Sequence, residues 1–451
     1  MPHTRIAETR REFLETTAAT ALAGSLVGTS KGDEKKPAEG VPGPRKRIAI
    51  ITTLWAYLRH GQHIGDRFLV GYPHEGDWHE PRVEVVSAFV AQQPTASDRE
   101  VREKEFGFPQ GDLAADRARE FGFELHKTIP EALRCGGKRL AVDGVVVIAE
   151  HGEYPSNAKG QKLYPRAEFF SQIVNVFRND GRSVPIFNDK HLSYSFEQAS
   201  GMVAASRELN FPMLAGSSLP VTWRMPEMEI PYGAEIEEAV VICGSSSLDS
   251  SGFHALEALQ CLVERRKGGE TGIRRVQTLS GDAVWNALKH KKWSPDLMAR
   301  ALSRADVIKG ITLVDARTQD LAAPGVLKSI VPKPQAVLFE YRDGLEATLL
   351  LLDGAVGNFT AAVRLDRRDQ VLSTKFLLPP EPNVAYSACL AHHIEDMIVT
   401  GRPGYPVERT LLVSGLLEAA HDSRADGGRR LRTPQLDVAY TAPRASQHCR
   451  N

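Results

Sequence analysis

The sequence has no excess of charge of either sign, because its 56 Lys and Arg residues are matched by 56 Asp and Glu residues. Proteins that bind nucleic acids need a basic surface that displaces counterions from the phosphates, so this balance argues against that class. No apolar run reaches the ~20 residues that a transmembrane helix requires. We therefore expect a soluble mature protein whose partner is a small molecule.

The sequence also lacks a cysteine pattern. Its five cysteines, Cys135, Cys243, Cys261, Cys389 and Cys449, form no CxxC pair and show no metal-ligand spacing. An odd number without a pattern argues against a disulfide framework and favours free thiols, most of them buried. Such usage agrees with a chain that folds in the cytoplasm before it reaches an oxidising space.

An arginine pair, Arg10 and Arg11, precedes a small, apolar, uncharged stretch at 18–28. This pattern is typical of a twin-arginine (Tat) export signal, which acts on proteins that are already folded. A chance arginine pair in an ordinary chain terminus is the alternative. Residues 31–47 are rich in Lys, Pro, Gly and Glu and predict a flexible linker. We assign 1–46 to the signal and linker and expect export to the periplasm.

Short apolar runs alternate with segments of helical spacing between residues 47 and 216. The alternation predicts βαβ units and a parallel sheet, that is, a Rossmann-like domain over 47–222. Residues 223–451 predict a second α/β domain with a mostly antiparallel open sheet, including a hairpin around 342–344. Its closing helices either stay with that sheet or pack back on the first domain.

Polar residues follow three of the predicted parallel strands. Thr52 and Thr53 end the first strand, Glu150 and His151 follow another, and Lys190 follows a third. Ligands of such sheets bind beyond the carboxyl ends of the strands, so we expect these residues to converge on one site. A lysine there could bridge a cofactor and a substrate hydroxyl or relay a proton, whereas the alternative is a surface lysine at a strand end.

A histidine and a glutamate share one face of the predicted helix 253–265. His254 lies near its start, and Glu257 follows one turn later. Histidine is suited to take a hydroxyl proton because its pKa lies near neutrality, and Glu257 could orient its ring or bind a second hydroxyl. We therefore take Lys190, His254, Glu257 and His151 as candidate catalytic residues. The alternative for His254 is a helix-cap histidine with local hydrogen bonds.

The segment that contains His60, His63 and Asp66, with His74 and His79 beyond it, is dense in possible metal ligands. Its spacing is not a recognised metal pattern, and two glycines weaken a helix there. We expect a polar loop over the sheet edge, with His60 or His63 facing the substrate and no metal ion.

Four segments occur in the order found in a known family: 189–192, 211–216, 252–257 and 401–407. They resemble the Glu-Lys-Pro segment with its following strand, the Gly-x-His-x-x-Asp segment and the start of the closing helix in the glucose–fructose oxidoreductase/inositol dehydrogenase (Gfo/Idh/MocA) family. The resemblance covers roughly residues 47–440. It implies an NAD or NADP cofactor, a sugar or polyol substrate, and pairing of subunits through the sheet of the second domain.

The sequence departs from that family at the dinucleotide site. Residues 52–57 replace the usual Gly-x-Gly-x-x-Gly turn, whose glycines let the backbone approach a pyrophosphate. The second strand ends in Gln92 and Gln93 instead of an acidic residue. The residues that the resemblance leaves as cofactor contacts are Thr52, Thr53, Glu150 and Lys190.

Three functions remain open. The first is an exported oxidoreductase that acts on a sugar or polyol with a nicotinamide cofactor. The second is a relative that has lost the dinucleotide and works as a carbohydrate-active lyase, isomerase or hydrolase. The third is a non-catalytic sugar-binding protein. Fold analogy alone does not choose among them, because function depends on the site.

Overall fold

The computed structural model describes residues 44–95, 104, 112–306, 321–323, 325–366, 370–380 and 383–450. Residues 45–451 form one compact unit. The predicted export signal lies outside the described residues. Within the described part, the helices are all too short or too polar to cross a membrane.

The strands are β1 Lys46–Leu54, β2 Tyr72–His74, β3 Asp77–His79, β4 Val83–Gln92, β5 Glu124–His126, β6 Gly144–Ile148, β7 Ile186–Asp189, β8 Met213–Gly216, β9 Arg224–Met225, β10 Ile236–Cys243, β11 Ile273–Ser280, β12 Gln335–Tyr341, β13 Glu346–Leu351, β14 Phe359–Leu365, β15 Gln370–Phe376 and β16 Leu431–Arg432. The helices are α1 His60–Gly65, α2 Arg67–Val70, α3 Leu113–Phe121, α4 Ile129–Arg134, α5 Arg166–Asp180, α6 Phe196–Glu208, α7 Phe253–Val263, α8 Asp282–Lys289, α9 Pro295–Leu302, α10 Val326–Ile330, α11 Tyr386–Thr400 and α12 Glu408–Ala425.

Six parallel strands form the first sheet, in the order β5-β4-β1-β6-β7-β8. All five residues of β6 are buried, as expected for a strand covered on both faces. The order reverses between β1 and β6, and a ligand crevice opens at such a point beyond the carboxyl ends of the strands. The predicted Rossmann-like sheet is confirmed.

The second sheet has the order β16-β11-β12-β13-β10-β14-β15-β9. Its pairs are antiparallel except for β10 with β13, so the predicted mostly antiparallel sheet is also confirmed. The predicted hairpin joins β12 to β13, with Gly344 at a φ of 97° in its turn. Strand β14 does not extend this hairpin, because it pairs with β10 and β15.

Helices cover both faces of the second sheet. α7 packs on β10 and α12 on β11, while α8 and α9 pack on the opposite face, where Val240 and Ile242 contact Trp293 and Leu297 in a buried apolar cluster. The sequence analysis did not predict α8, α9 or α10. The chain's own helices α8 and α9 thus cover part of the second sheet, through which subunits were expected to pair. The pairing of subunits stays a prediction.

One closing helix, α11, packs against the first sheet. Ala391, Ile394 and Ile398 belong to the same buried cluster as Ile148 of β6. A Cβ atom at Gly144 would lie 2.9 Å from the Ile398 side chain, so this glycine permits the close approach. The contact makes α11 part of the wall around the crevice. The domain boundary at residue 222 stays a prediction.

Candidate active site

A cavity of about 240 Å³ lies beyond the carboxyl ends of β7 and β8. One part of its wall is polar and the other is apolar. The polar lining consists of His60, His63, Asp189, Ser218, Ser251, His254, Tyr386 and Ser387. The apolar lining consists of Ile64, Leu219, Phe359, Leu378 and Leu390. Residues from both sheets and from α11 therefore meet in one small pocket.

The shortest polar contact in the cavity joins His60 to Asp189. His60 Nδ1 lies 2.7 Å from Asp189 Oδ2, and the Asp189 side chain is 2% exposed. His60 begins α1, which is a helix where a polar loop was expected. The expectation failed because the glycines that weaken a helix allow this one to pack tightly: a Cβ atom at Gly61 would lie 2.4 Å from the Leu54 carbonyl oxygen.

Three further imidazoles surround His60. Its ring centroid lies 5.0 Å from that of His151, 6.0 Å from that of His63 and 6.2 Å from that of His254. Burial and the nearby charge of Lys190 hold the pKa of His254 well below its usual range. Burial and the neighbouring His60 do the same to the pKa of His151. Both rings are therefore neutral at pH 7, so each keeps one unprotonated ring nitrogen.

A buried ion network lies directly behind these rings. Lys190 Nζ is 3.3 Å from Glu150 Oε1, and Arg166 forms an ion pair with the same carboxylate. Burial alone would raise the pKa of Glu150, but the charges of Lys190 and Arg166 hold it well below the usual range. Arg166 also donates to His191 Nε2 at 3.0 Å. Two cations thus share one carboxylate next to His254, and positive potential reaches the cavity from this side.

Lys190 and His254 were expected in one crevice, and the structure brings them together. Lys190 has a positive φ of 65°, and its main-chain N–H donates to the Gly216 carbonyl across to β8 at 3.1 Å. This turn directs the side chain inwards, where Nζ lies 3.5 Å from the carbonyl oxygen of Ser250, four residues before His254. Lys190 is buried, so it is not the surface lysine of the alternative interpretation.

Glu257 has a different environment from the one expected. Its carboxyl group contacts the main-chain N–H of Ser217 and the hydroxyl of Thr410, each at 2.6 Å, and the cavity lining does not include it. The expected contact with the His254 ring is replaced by a link between β8, α7 and α12. Burial raises the pKa of Glu257 to about 7, although both hydrogen bonds oppose the shift.

The hydroxyls of Thr52 and Thr53 are used within the sheet. Thr52 donates to the Ile148 carbonyl at 2.9 Å, and Thr53 donates to the Glu150 carbonyl at 2.8 Å. Both side chains are fully buried. A phosphate contact from either hydroxyl would require these hydrogen bonds to break.

Two residues connect the loops on either side of the β1 end. The Gln92 side chain donates to the Glu153 carbonyl at 3.1 Å and accepts from the Glu153 main-chain N–H at 2.8 Å. Because β4 and β6 flank β1 in the sheet, this Gln92–Glu153 bridge crosses the crevice at the switch point. Gly152 makes room for it, since a Cβ atom there would lie 2.8 Å from Gln92 Oε1.

An indole occupies the place of the glycine-rich turn. Trp55 is fully buried, stacks on Phe123 at 5.8 Å, and donates from Nε1 to Asp66 at 3.0 Å. The six-residue helix α1 packs directly on this ring. Together with the Gln92–Glu153 bridge, this packing stands where a glycine-rich turn would let the backbone approach a pyrophosphate. A dinucleotide bound here would therefore be held without that turn.

Among the described residues, one group brings three possible metal ligands together: Glu227, Glu229 and His448. Arg450 pairs with both carboxylates, and Arg265 also pairs with Glu229. The group is already neutralised and lines no part of the cavity. The histidines that the sequence analysis considered as ligands have other partners: His79 lies 2.8 Å from Glu395, and His74 stacks on His392.

The sequence analysis missed several site residues. The sequence analysis included Asp189 only within the segment 189–192. Its position beside Lys190 at a strand end is the signal that could have identified it as a site residue. Arg166 and Tyr386 carried no local signal. Each begins a helix, where an arginine or tyrosine is commonly exposed, and only the tertiary packing buries Arg166 behind the cavity.

No family model matches the chain, and no curated protein matches it. Among solved structures, GenD2 from gentamicin A biosynthesis in complex with NAD has 15% identity and a TM-score of 0.52, over 88% of this chain and 99% of GenD2. The myo-inositol dehydrogenase of Lactobacillus casei, with NAD(H) and myo-inositol, has 12% identity and a TM-score of 0.49, over 88% of this chain and 98% of the dehydrogenase. The match to GenD2 shows a shared fold. The GenD2 structure contains NAD, one of the two cofactors that the resemblance implied.

Proposed function

We propose that the protein is an enzyme that acts on a sugar or polyol by moving protons within the cavity. The observation that carries the proposal is the His60–Asp189 pair, which shares the cavity with the neutral ring of His254. One imidazole is tied to a carboxylate, and the other is kept neutral by burial. Two such groups in one small pocket are suited to remove a proton from a substrate and to return one.

The contacts assign a role to each group. Asp189 accepts from Nδ1–H of His60, which leaves Nε2 of that ring as the proton acceptor. His254 is the second acid or base. Lys190 is a positioning residue whose charge favours an anion that develops on a substrate oxygen beside His254.

The cavity wall favours a polyhydroxylated substrate of monosaccharide size. Hydroxyls of Ser218, Ser251 and Tyr386 offer hydrogen bonds on one side, and Phe359 and Leu390 offer an apolar surface on the other. A sugar ring has both hydroxyl edges and C–H faces, so it matches such a mixed wall.

We favour a reaction that keeps its electrons within the substrate, such as isomerisation or elimination. The Gln92–Glu153 bridge and the buried Trp55 support this choice, because they stand where a glycine-rich turn would let the backbone approach a pyrophosphate. When a base removes a proton from the carbon next to a carbonyl group, and an acid returns a proton elsewhere, no external electron acceptor is needed.

The second candidate is an oxidoreductase that uses NAD or NADP. The fold shared with GenD2, whose structure contains NAD, favours it. This candidate requires the Gln92–Glu153 bridge to open. A sugar-binding protein without catalysis is the third candidate, and it predicts binding of a sugar with no product.

Dinucleotide binding separates the first two candidates. The melting temperature of the full-length protein is measured with and without NAD and NADP, since a ligand at a hundredfold excess over its Kd stabilises by about 2.7 kcal/mol. We expect no shift for the wild type. Gln92→Ala tests the bridge, and Gln93→Ala is its control because Gln93 binds Asp112 instead. A shift in the wild type would favour the oxidoreductase.

Product formation tests the enzyme itself. The protein is incubated in dinucleotide-free buffer with D-glucose and D-fructose, and with myo-inositol as a control that has no carbonyl group, and the mixtures are followed by NMR. We expect conversion or carbon-bound proton exchange of at least one of the two sugars. Binding without either change would favour the third candidate.

We also propose that residues 1–46 export the folded chain through the Tat pathway, as Arg10 and Arg11 indicate. A fusion of 1–46 to a folded reporter is expected to reach the periplasm. The same fusion with Arg10→Lys and Arg11→Lys should stay in the cytoplasm, and export of both fusions would contradict the proposal.

A further inference from the structure

A second cavity, of about 310 Å³, lies on the second sheet and is separate from the candidate active site. Its floor is formed by β11, β12 and β13, and the segment that follows α8 forms one wall. We call it the arginine cleft. Its charged lining consists of Arg275, Lys291, Lys292, Arg430, Glu340 and Glu346.

The sheet register places a like charge from outside the lining directly beside one arginine of this cleft. Arg275 on β11 lies opposite Arg432 on β16, and on its other side it lies opposite Glu340 on β12. Directly opposed like charges on neighbouring strands are destabilising. The fold therefore keeps arginines together here against their mutual repulsion.

One carboxylate holds three guanidinium groups. Glu340 accepts from Arg275 at 3.4 Å and from Arg430 at 3.0 Å, and it also pairs with Arg274. Glu340 is buried, whereas Arg274 and Arg430 are about half exposed. Desolvation and the charges of Arg274 and Arg430 lower the pKa of Arg275, which is a sign of crowded positive charge.

The balance of charge at the cleft is positive although the whole chain is neutral. Glu340 cancels one of the three guanidinium charges that surround it. Lys291 and Lys292 are exposed and add two positive charges, and Glu346 is the only other carboxylate in the lining. A surplus of positive charge that is confined to one concave site favours a compact anion, whereas a nucleic acid requires an extended basic surface.

We propose that the arginine cleft binds the oxyanion of a sulfate or phosphate ester. Glu340 holds the guanidinium groups in fixed positions, and their planar N–H groups match the oxygen atoms of such an ester in pairs. A bound oxyanion offsets the repulsion between Arg275 and Arg430. The cleft is thus a recognition site for a charged group, distinct from the cavity that contains His254.

Binding is tested on the full-length protein at low ionic strength by calorimetry. The probes are inorganic sulfate, inorganic phosphate, glucose 6-sulfate and glucose 6-phosphate, with glucose as the uncharged control. We expect saturable binding of at least one ester and none of glucose at this site. The ester that binds with the higher affinity shows whether the cleft recognises a sulfate ester or a phosphate ester. Absence of saturable binding by all four anions would overturn the proposal.

Variants locate the site. Arg275→Gln and Arg430→Gln are each expected to weaken binding by about tenfold or more, because each removes one charge-assisted contact. Arg178→Gln is the matched control, since Arg178 is a half-exposed arginine that pairs with Glu208 on α6. Lys292→Gln changes an exposed lysine of the cleft and is expected to weaken binding even if an arginine variant fails to fold. Equal affinity in the folded cleft variants and in the control would contradict the assignment.

Discussion

Glu257 illustrates at the residue scale how tertiary packing changes the role that a sequence pattern indicates. Helical spacing places it one turn after His254, which predicted a role at that ring. The side chain instead links Ser217 to Thr410. Thr410 Oγ1 donates to Glu257 and also lies 3.0 Å from the Ala215 carbonyl, so its one hydroxyl proton is shared between two acceptors. Burial is what raises the pKa of Glu257 to about 7.

The raised pKa of Glu257 predicts a dependence of stability on pH. The folded pKa of about 7 lies above the ordinary glutamate value of 4.5, so the folded state holds a proton that the unfolded state loses. Stability is therefore retained below pH 4.5 and falls by about 3 kcal/mol as the pH rises to 7. Glu257→Gln preserves the neutral hydrogen bonds and should remove this contribution. Urea unfolding of the wild type and of Glu257→Gln between pH 5 and 8 measures this contribution. If the free energy of unfolding changed with pH in the same way in both proteins, the prediction would be contradicted.

The His60–Asp189 pair predicts a loss of turnover with little loss of stability. Asp189→Asn removes the charge that orients His60, and the reaction identified by NMR should slow by about 10²–10⁴-fold. Asp437→Asn, at an exposed side chain, is the control. The melting temperature of Asp189→Asn should stay close to that of the wild type. A folded variant with full activity would remove His60 and Asp189 from the mechanism.

At the scale of elements, the predictions that rest on strong local sequence signals were correct. The elements that were not predicted are stabilised by close packing with distant residues. The hairpin predicted around 342–344 joins β12 to β13, where Gly344 has the positive φ of 97° that the turn requires. The polar and glycine-containing pattern around His60 predicted a loop, yet α1 forms there. Its stability comes from contact with Leu54 and Trp55, which no local pattern reveals.

Gly61 and Gly201 form a matched pair that tests this explanation. A Cβ atom at Gly61 would meet the Leu54 carbonyl at 2.4 Å, whereas one at Gly201, within α6, meets nothing within 4 Å. Gly61→Ala should lower the free energy of unfolding by about 1–3 kcal/mol. Gly201→Ala should raise it by up to about 1 kcal/mol, since alanine favours a helix. Thermal unfolding measures both changes. If Gly61→Ala left the free energy of unfolding unchanged, α1 would be loosely packed and the explanation would be wrong.

At the scale of the whole molecule, the sequence predicted the two sheets and the convergence of strand ends near Lys190. It left open whether α11 returns to the first sheet, and it did not predict the burial of Arg166, because both depend on contacts between residues far apart in the chain. The Gln92–Glu153 bridge was not predicted from the sequence for the same reason. The missing glycine turn was visible in the sequence, but only the packing of Trp55 indicates what took its place.

Proton exchange in D₂O tests the central claim most directly. The wild type, His254→Gln and the exposed control Asp437→Asn are incubated without dinucleotide with D-glucose and D-fructose, and deuterium in carbon positions is measured by NMR. We predict that the wild type and the control label at least one compound, while His254→Gln labels it at least about a hundredfold more slowly. Labelling at the same rate by folded His254→Gln, or no labelling by the wild type, would contradict proton transfer in this cavity.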